Sequence, residues 1–157
     1  RSAGQLTCFA LPAGRLLPLP PADEALWGRL VLETEPAAGA LAAFLYPAGP
    51  ERDDYYSALC TKRSRGLARV WALTLDGQIA ATIGAYAIRG GKAYLACGCT
   101  DPELRGRGAG GRLAALFANA LAAEGLEVCL ACCPERVGFY TRLGFQAAGS
   151  LGRYLSP

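Results

Sequence analysis

A chain of 157 residues, 52% hydrophobic and 18% charged, has the length and apolar content of one folded domain and none of the character of a disordered segment. Sixteen Lys and Arg against thirteen Asp and Glu leave a net charge of only +3, which excludes the dominant basic stripe of a nucleic-acid binder. No apolar run approaches the roughly 20 residues that span a bilayer; the longest, AAGALAAFLYP (37–47), is short and ends in proline, so the chain reads as a single soluble unit with no membrane partner.

The N-terminal stretch RSAGQLTCFALPAGRLLPLPP is broken by Pro12, Pro18, Pro20 and Pro21, which removes the apolar core of a signal peptide and makes a cytoplasmic location the expectation. PADEALWGRLVLE (21–33) opens with proline and acids and sets Leu26, Leu30 and Val31 on one face, predicting an amphipathic helix. Helices are also predicted over 37–46 and 51–63, separated by Pro47 and Pro50. From residue 68 the period changes. ARVWALTL (68–75), QIAATIGAYAI (78–88) and KAYLACGCT (92–100) are strand-like runs joined by Asp76-Gly77 and Gly90-Gly91, an antiparallel meander.

After Pro102 comes LRGRGAGGRL (104–113), and then GRLAALFANALAAEG (111–125), where Leu113, Leu116, Phe117, Ala120 and Leu121 repeat at helical spacing up to Gly125. LEVCLACC (126–133) reads as a buried strand, PERVGFYTRLG (134–144) as a short helix and FQAAGSLGRYL as an edge segment. That edge is open to a second copy of the chain, a homodimer by edge-strand logic. The order predicts an α/β fold built on a mixed α+β sheet.

Gly106, Gly108 and Gly111 fit G-x-G-x-x-G, the dinucleotide fingerprint, but the preceding strand closes an antiparallel meander and no acid stands about 20 residues later to meet a ribose. What remains is phosphate chemistry: glycines let backbone N–H groups approach an anion, the helix N-terminus favours negative charge, and Arg105, Arg107 and Arg112 add countercharge. The competing reading is a tight strand-to-helix corner with solvated arginines.

CTDPELRGRGAGGRLAALF resembles the acetyl-CoA loop of the GNAT superfamily of N-acetyltransferases, an Arg or Gln, two residues, Gly, any residue, then Gly or Ala. Arg105, Gly108 and Gly110 fill those places, with Asp101-Pro102 ahead of them. FYTRLGF (139–145) is similar to the family's C-terminal Tyr-x-x-x-Gly-Phe, through Tyr140, Gly144 and Phe145. The resemblance covers about residues 68–150, and one departure is Cys133, where many members carry Asn seven residues before the tyrosine.

The resemblance implies a GNAT-like fold: N-terminal helices (1–66) on the acceptor side, then an acetyl-CoA-binding core (67–150) whose strands at 92–100 and 126–133 splay apart. Acetyl-CoA is the implied co-substrate. Its pantetheine arm would run past Gly98, Cys99 and Thr100, with the pyrophosphate held by Arg105, Gly106, Arg107, Gly108, Ala109, Gly110 and Gly111. An amine acceptor, small molecule or peptide, would attack directly. Tyr140 is the implied acid for the departing thiolate, against the plainer reading that it packs with Phe139 and Leu143. The chain contains no His, so Asp53, Asp54 and Glu103 are the conceivable bases; as acids in loops or at helix starts they also read as caps or solvated charges.

Seven cysteines without zinc-site spacing read as reduced, buried thiols, with no metal and no disulfide. DDYYS (53–57) offers carboxylates and aromatic faces to a cationic acceptor, but a capped amphipathic helix explains it too. The alternative from another class is a CoA-binding sensor or partner module without turnover. An unrelated NAD or ATP domain stays open as a third reading.

Overall fold

The structure, a computed structural model, describes residues 2–154. Its elements are β1 (Ser2–Leu11), α1 (Glu24–Trp27), β2 (Val31–Glu33), α2 (Ala38–Leu45), α3 (Glu51–Ser64), β3 (Arg69–Leu75), β4 (Gln78–Arg89) and β5 (Lys92–Thr100). They continue with α4 (Ala109–Ala123), β6 (Glu127–Cys132), α5 (Val137–Leu143) and β7 (Gln146–Tyr154). The strands form a seven-stranded sheet in the order β2-β3-β4-β5-β6-β1-β7. Only β5 and β6 pair in parallel, so the sheet is mixed, as expected.

The first thirty residues depart from expectation. β1 runs between β6 and β7, with Phe9 and Leu11 two apart and both buried, the period of a strand with one face in the core. The predicted helix over 21–33 is only the single turn α1: Asp23 caps it by accepting from Leu26 N at 3.1 Å, and it stops at Gly28. Val31–Glu33 then pairs with β3 as an edge strand, which leaves Val31 exposed instead of on a buried helix face. Residues 1–66 are therefore not a purely helical region, and β1 belongs to the part of the sheet that holds β6.

Between β1 and α1 the proline-rich segment is tied across α4. Asn119 accepts from Leu17 N at 2.6 Å and donates to Leu17 O at 2.9 Å, and Gly14 N reaches Ala122 O at 2.8 Å. Its prolines lack the N–H groups a strand ladder or helix needs, so side-chain clamps hold it instead.

Successive strand residues point to opposite faces. On one face Trp71, Leu73, Ala81, Ile83 and Ala85 pack with α4, whose Leu113, Phe117 and Leu121 are at most 1% exposed. Trp71 meets Phe117 edge-on at 5.2 Å between ring centres. On the other face Val70 packs with Leu41 of α2 and Leu59 of α3. Among the described residues no helix is long and apolar enough to cross a membrane, and no group of three or more His, Cys, Asp or Glu is placed to hold a metal.

The feature that makes a site is the parting of β5 from β6. They pair only at Lys92–Glu127, Ala93–Val128 and Tyr94–Cys129. Further on, β5 carries a bulge: Thr82 pairs with Cys99 and Gly84 with Ala96, so Ile83 faces two residues, Cys97 and Gly98. Cys97 takes φ of 55° to make it. A bulge bends and twists its strand, which accompanies the divergence from β6 and leaves a wedge-shaped gap in the sheet.

Candidate active site

At the end of β5 that has left β6 lies a cavity of about 780 Å³ bounded by β4, β5, Pro20 and Pro21, the loop before α4, the first turns of α4, and α5. Each wall follows from local chemistry. On β5, Gly98, Cys99 and Thr100 line the cavity. Gly98 places the β5 backbone beside Tyr140: the direction of its missing Cβ passes 3.8 Å from the Tyr140 hydroxyl and 3.4 Å from Ile83 Cδ1, ordinary contact distances. Beyond Tyr94 the β5 backbone has no β6 partner, so its polar groups on that edge are open to the cavity.

The loop wall is made by Arg105, Gly106, Gly108, Ala109, Gly110 and Gly111. Gly108 caps α4 with φ of 83°, and a Cβ there would lie 2.5 Å from Pro21 O and 2.8 Å from Ala22 Cα. Only glycine fits such a corner. Gly110 is crowded from the other side, its Cβ position 2.5 Å from Thr100 Oγ1. No side chain caps α4, and its first intrahelical bond runs from Arg112 N to Gly108 O. The amides of Ala109, Gly110 and Gly111 precede that bond, and they form the partial positive end of the helix.

The arginines divide in a way the sequence hides. Arg107 does not line the cavity: it grips Asp23 through Nε at 2.9 Å and Nη2 at 2.6 Å. The amide of Leu26 first, and then Arg107, hold the Asp23 carboxyl below its usual range. Its expected place among the phosphate-holding residues is therefore corrected to a clamp between the loop and the start of α1. Arg112 is likewise engaged, with Pro20 O at 3.0 Å, Glu24 at 2.7 Å and the Trp27 ring at 4.9 Å. Arg105 alone of the three faces the cavity, held by its Nε on Thr100 O at 3.1 Å.

Two further arginines, Arg136 and Arg142, line the opposite wall. Sequence reasoning passed over them because they lie outside the glycine loop; a basic residue on each side of Tyr140 was the available signal. Among the described residues no carboxylate lines the cavity.

Tyr140 stands on α5, the helix that Gly144 ends at φ of 104°. Phe9, Phe139 and Phe145 enclose its ring at centre distances of 6.1, 5.0 and 5.8 Å. That apolar box desolvates the phenol and raises its pKa, an effect Arg136 partly opposes. Tyr140 is therefore both packed and open to the cavity: its ring packs among the three phenylalanines and its hydroxyl lies beside Gly98.

The acids follow the plainer of their two readings, and the thiols are less buried than expected. Asp53 and Asp54 sit exposed in the first turn of α3, Glu103 is exposed beside the Asp101 cap, and none reaches the cavity. Tyr55 of the same α3 run turns inward to share a 2.6 Å hydrogen bond with Tyr86. All seven cysteines are free, but only Cys132 is fully buried; Cys60 and Cys133 are exposed and Cys99 lines the cavity. The parted strands open this region to solvent.

Against known proteins, the model of the "Acetyltransferase (GNAT) family" matches residues 31–145. The chain belongs to the GNAT acetyltransferase family. No curated protein matches it. Among solved structures, a GNAT-family protein from Novosphingobium aromaticivorans shares 22% identity at a TM-score of 0.63 over 96% of this chain and 63% of that one. A predicted acetyltransferase from Clostridium acetobutylicum, solved with acetyl-CoA, shares 17% at 0.65, over 82% of this chain and 95% of that one. A GCN5-related N-acetyltransferase from Sphaerobacter thermophilus shares 20% at 0.71, covering 97% of this chain and 51% of that one. Such identities speak for a shared GNAT fold, and the chain spans only about half to two thirds of two of these proteins. The GNAT family uses acetyl-CoA.

Proposed function

We propose that this GNAT domain is an N-acetyltransferase, binding acetyl-CoA in the cavity at the unpaired end of β5 and passing the acetyl group directly to an amine in a ternary complex. The observation that carries the reading is the convergence of Tyr140 Oη, the open edge of β5 at Gly98–Thr100 and the uncapped start of α4 on one cavity.

The residues present fit such a co-substrate. A cavity of this size lies within the range of small-molecule sites. Where a Cβ on Gly108 or Gly110 would intrude on backbone or Thr100, the bare glycines keep the amides of the α4 start within reach of an anion. Arg105 adds a cation that no carboxylate neutralises.

Bound acetyl-CoA supplies an activated acetyl thioester. Around it the chain orients and protonates. Backbone N–H groups of Gly98–Thr100 donate to the acetyl carbonyl oxygen, where negative charge grows during transfer. Tyr140 Oη, kept protonated by its desolvated box, gives its proton to the departing sulfur. Since the chain has no His and no carboxylate among the described residues lines the cavity, the acceptor arrives as the free amine or loses its proton to water.

Acetyl transfer from acetyl-CoA to a panel of small amines and peptides, in the wild type and Tyr140→Phe, tests the reading. The variant is expected to lose on the order of 100-fold in kcat at pH 7 with co-substrate affinity unchanged. Because burial raises the phenol's pKa above its ordinary value, it stays protonated through neutral pH; the wild-type rate is expected to fall only on the alkaline side, and the variant to lack this alkaline limb. Binding without transfer to any acceptor would instead support a CoA-binding module without turnover.

A further inference from the structure

Three arginines line the cavity with no carboxylate against them among the described residues. Arg105 stands at the glycine loop, while Arg136 and Arg142 stand on the opposite wall, before and within α5. The ion pairs among the described residues engage Arg29, Arg69, Arg107 and Arg112, and none of these three.

Charge counting separates the two walls. A pyrophosphate diester carries two negative charges; the amides at the α4 start, worth about half a charge, and Arg105 together nearly balance it. Arg136 and Arg142 are left over, on a wall the pyrophosphate loop does not supply. Two uncompensated guanidinium groups facing a shared cavity repel each other and favour an anion between or beside them.

Local geometry brings them toward one place. Gly138 has no side chain, and Arg142 lies back over it: a Cβ on Gly138 would stand 3.0 Å from Arg142 Nη1. This is the direction helical side chains take, toward the N-terminal turn. Arg142 is thus laid back along α5 toward the turn that carries Arg136.

We infer that Arg136 and Arg142 form a second anion subsite in the cavity, built for a phosphomonoester, so that the donor is selected by a terminal phosphate in addition to its pyrophosphate. The inference rests on the acetyl-CoA reading above. In that co-substrate the group is the phosphate on the ribose 3′ position, so free CoA thioesters are taken in preference to donors that lack it. Guanidinium groups suit the role because they present paired N–H donors to phosphate oxygens.

Equilibrium binding of CoA and of dephospho-CoA, measured by titration calorimetry on wild type, Arg136→Gln and Arg142→Gln, tests this without an acceptor. The wild type is expected to prefer CoA by about tenfold or more, as charge-assisted phosphate contacts warrant, and each variant to lose most of that preference while still binding dephospho-CoA. Lysine at either position is expected to restore part of it. Equal affinity of the wild type for the two ligands overturns the subsite and leaves the acetyl-CoA reading standing. A preference undiminished in both variants also overturns it, by placing the phosphate elsewhere. Failure of the wild type to bind either ligand overturns the acetyl-CoA reading and the subsite with it.

Discussion

At the scale of single residues, the site is decided by which charges are already engaged. Arg105 and Arg107 differ by two positions and have opposite fates, because Asp23, 84 residues before Arg107, takes one of them. Arg105→Ala is therefore expected to weaken acetyl-CoA binding by about tenfold, the usual loss for one charge-assisted contact. Arg107→Ala, which breaks an exposed pair, is expected to change it by less than about threefold; titration calorimetry of both variants decides the matter, and an equal loss in both would return Arg107 to the site. The sequence made the glycine loop and Tyr140 legible because each lies inside a contiguous motif. The pairing of Arg107 and Arg112 and the exposure of Arg136 and Arg142 depend on contacts between residues far apart in the chain, which no spacing records.

At the scale of elements, the start of α4 is held in register by contact with the chain that enters α1. Gly106 and Gly108 both take positive φ, but a Cβ on Gly106 meets nothing within 4 Å whereas one on Gly108 meets the Pro21–Ala22 backbone. Gly106→Ala should cost about 1 kcal/mol, the left-handed penalty alone. Gly108→Ala should cost about 3 kcal/mol or more, since backbone must also move. Denaturant unfolding measures both, and equal losses would mean that the Pro21 contact carries no weight.

Legibility among the elements follows the same physics. α4 and the β3-β4-β5 meander were readable because their own apolar periods and turn glycines specify them. β1 was not foreseen though Phe9 and Leu11 alternate correctly, because the stretch was weighed only as a signal peptide and its strand partners, β6 and β7, lie more than 100 residues away. The helix expected over 21–33 failed at Gly28, where pairing with β3 outweighed a marginal amphipathic pattern. The bulge at Cys97 and Gly98 left no pattern at all, being imposed by pairing with β4.

At the scale of the whole molecule, buried phenols tie stability to alkaline pH. Burial raises Tyr55 to about 12, and burial first, then the bond to Tyr55, raises Tyr86; desolvation raises Tyr140 as well. In the unfolded chain these groups ionise near pH 10. Each has its raised pKa in the folded state, so stability from this source is fully present below about pH 10 and is lost as pH rises toward about 12, at about 1.4 kcal/mol per pH unit for each retained proton. Denaturation midpoints measured across that interval should fall, and should fall less steeply in Tyr55→Phe. A midpoint flat through pH 11.5 or so would contradict the burial of these hydroxyls.

The whole account turns on one cavity binding one kind of molecule. Thermal melting with matched acetyl-CoA, CoA, NAD and ATP, on the wild type and on Gly111→Leu, asks this most directly. Gly111 lines the cavity, and a Cβ on it meets Phe139, Pro20 and Leu143 at an ordinary 3.7–3.8 Å, without the backbone clash that one on Gly108 makes. Acetyl-CoA and CoA are predicted to raise the wild-type midpoint, by about 2.7 kcal/mol of stability at a hundredfold excess over the dissociation constant. NAD and ATP are predicted to do far less, and Gly111→Leu to fold but not respond. A shift by NAD or ATP larger than that by CoA, or an undiminished CoA shift in Gly111→Leu, would contradict the account.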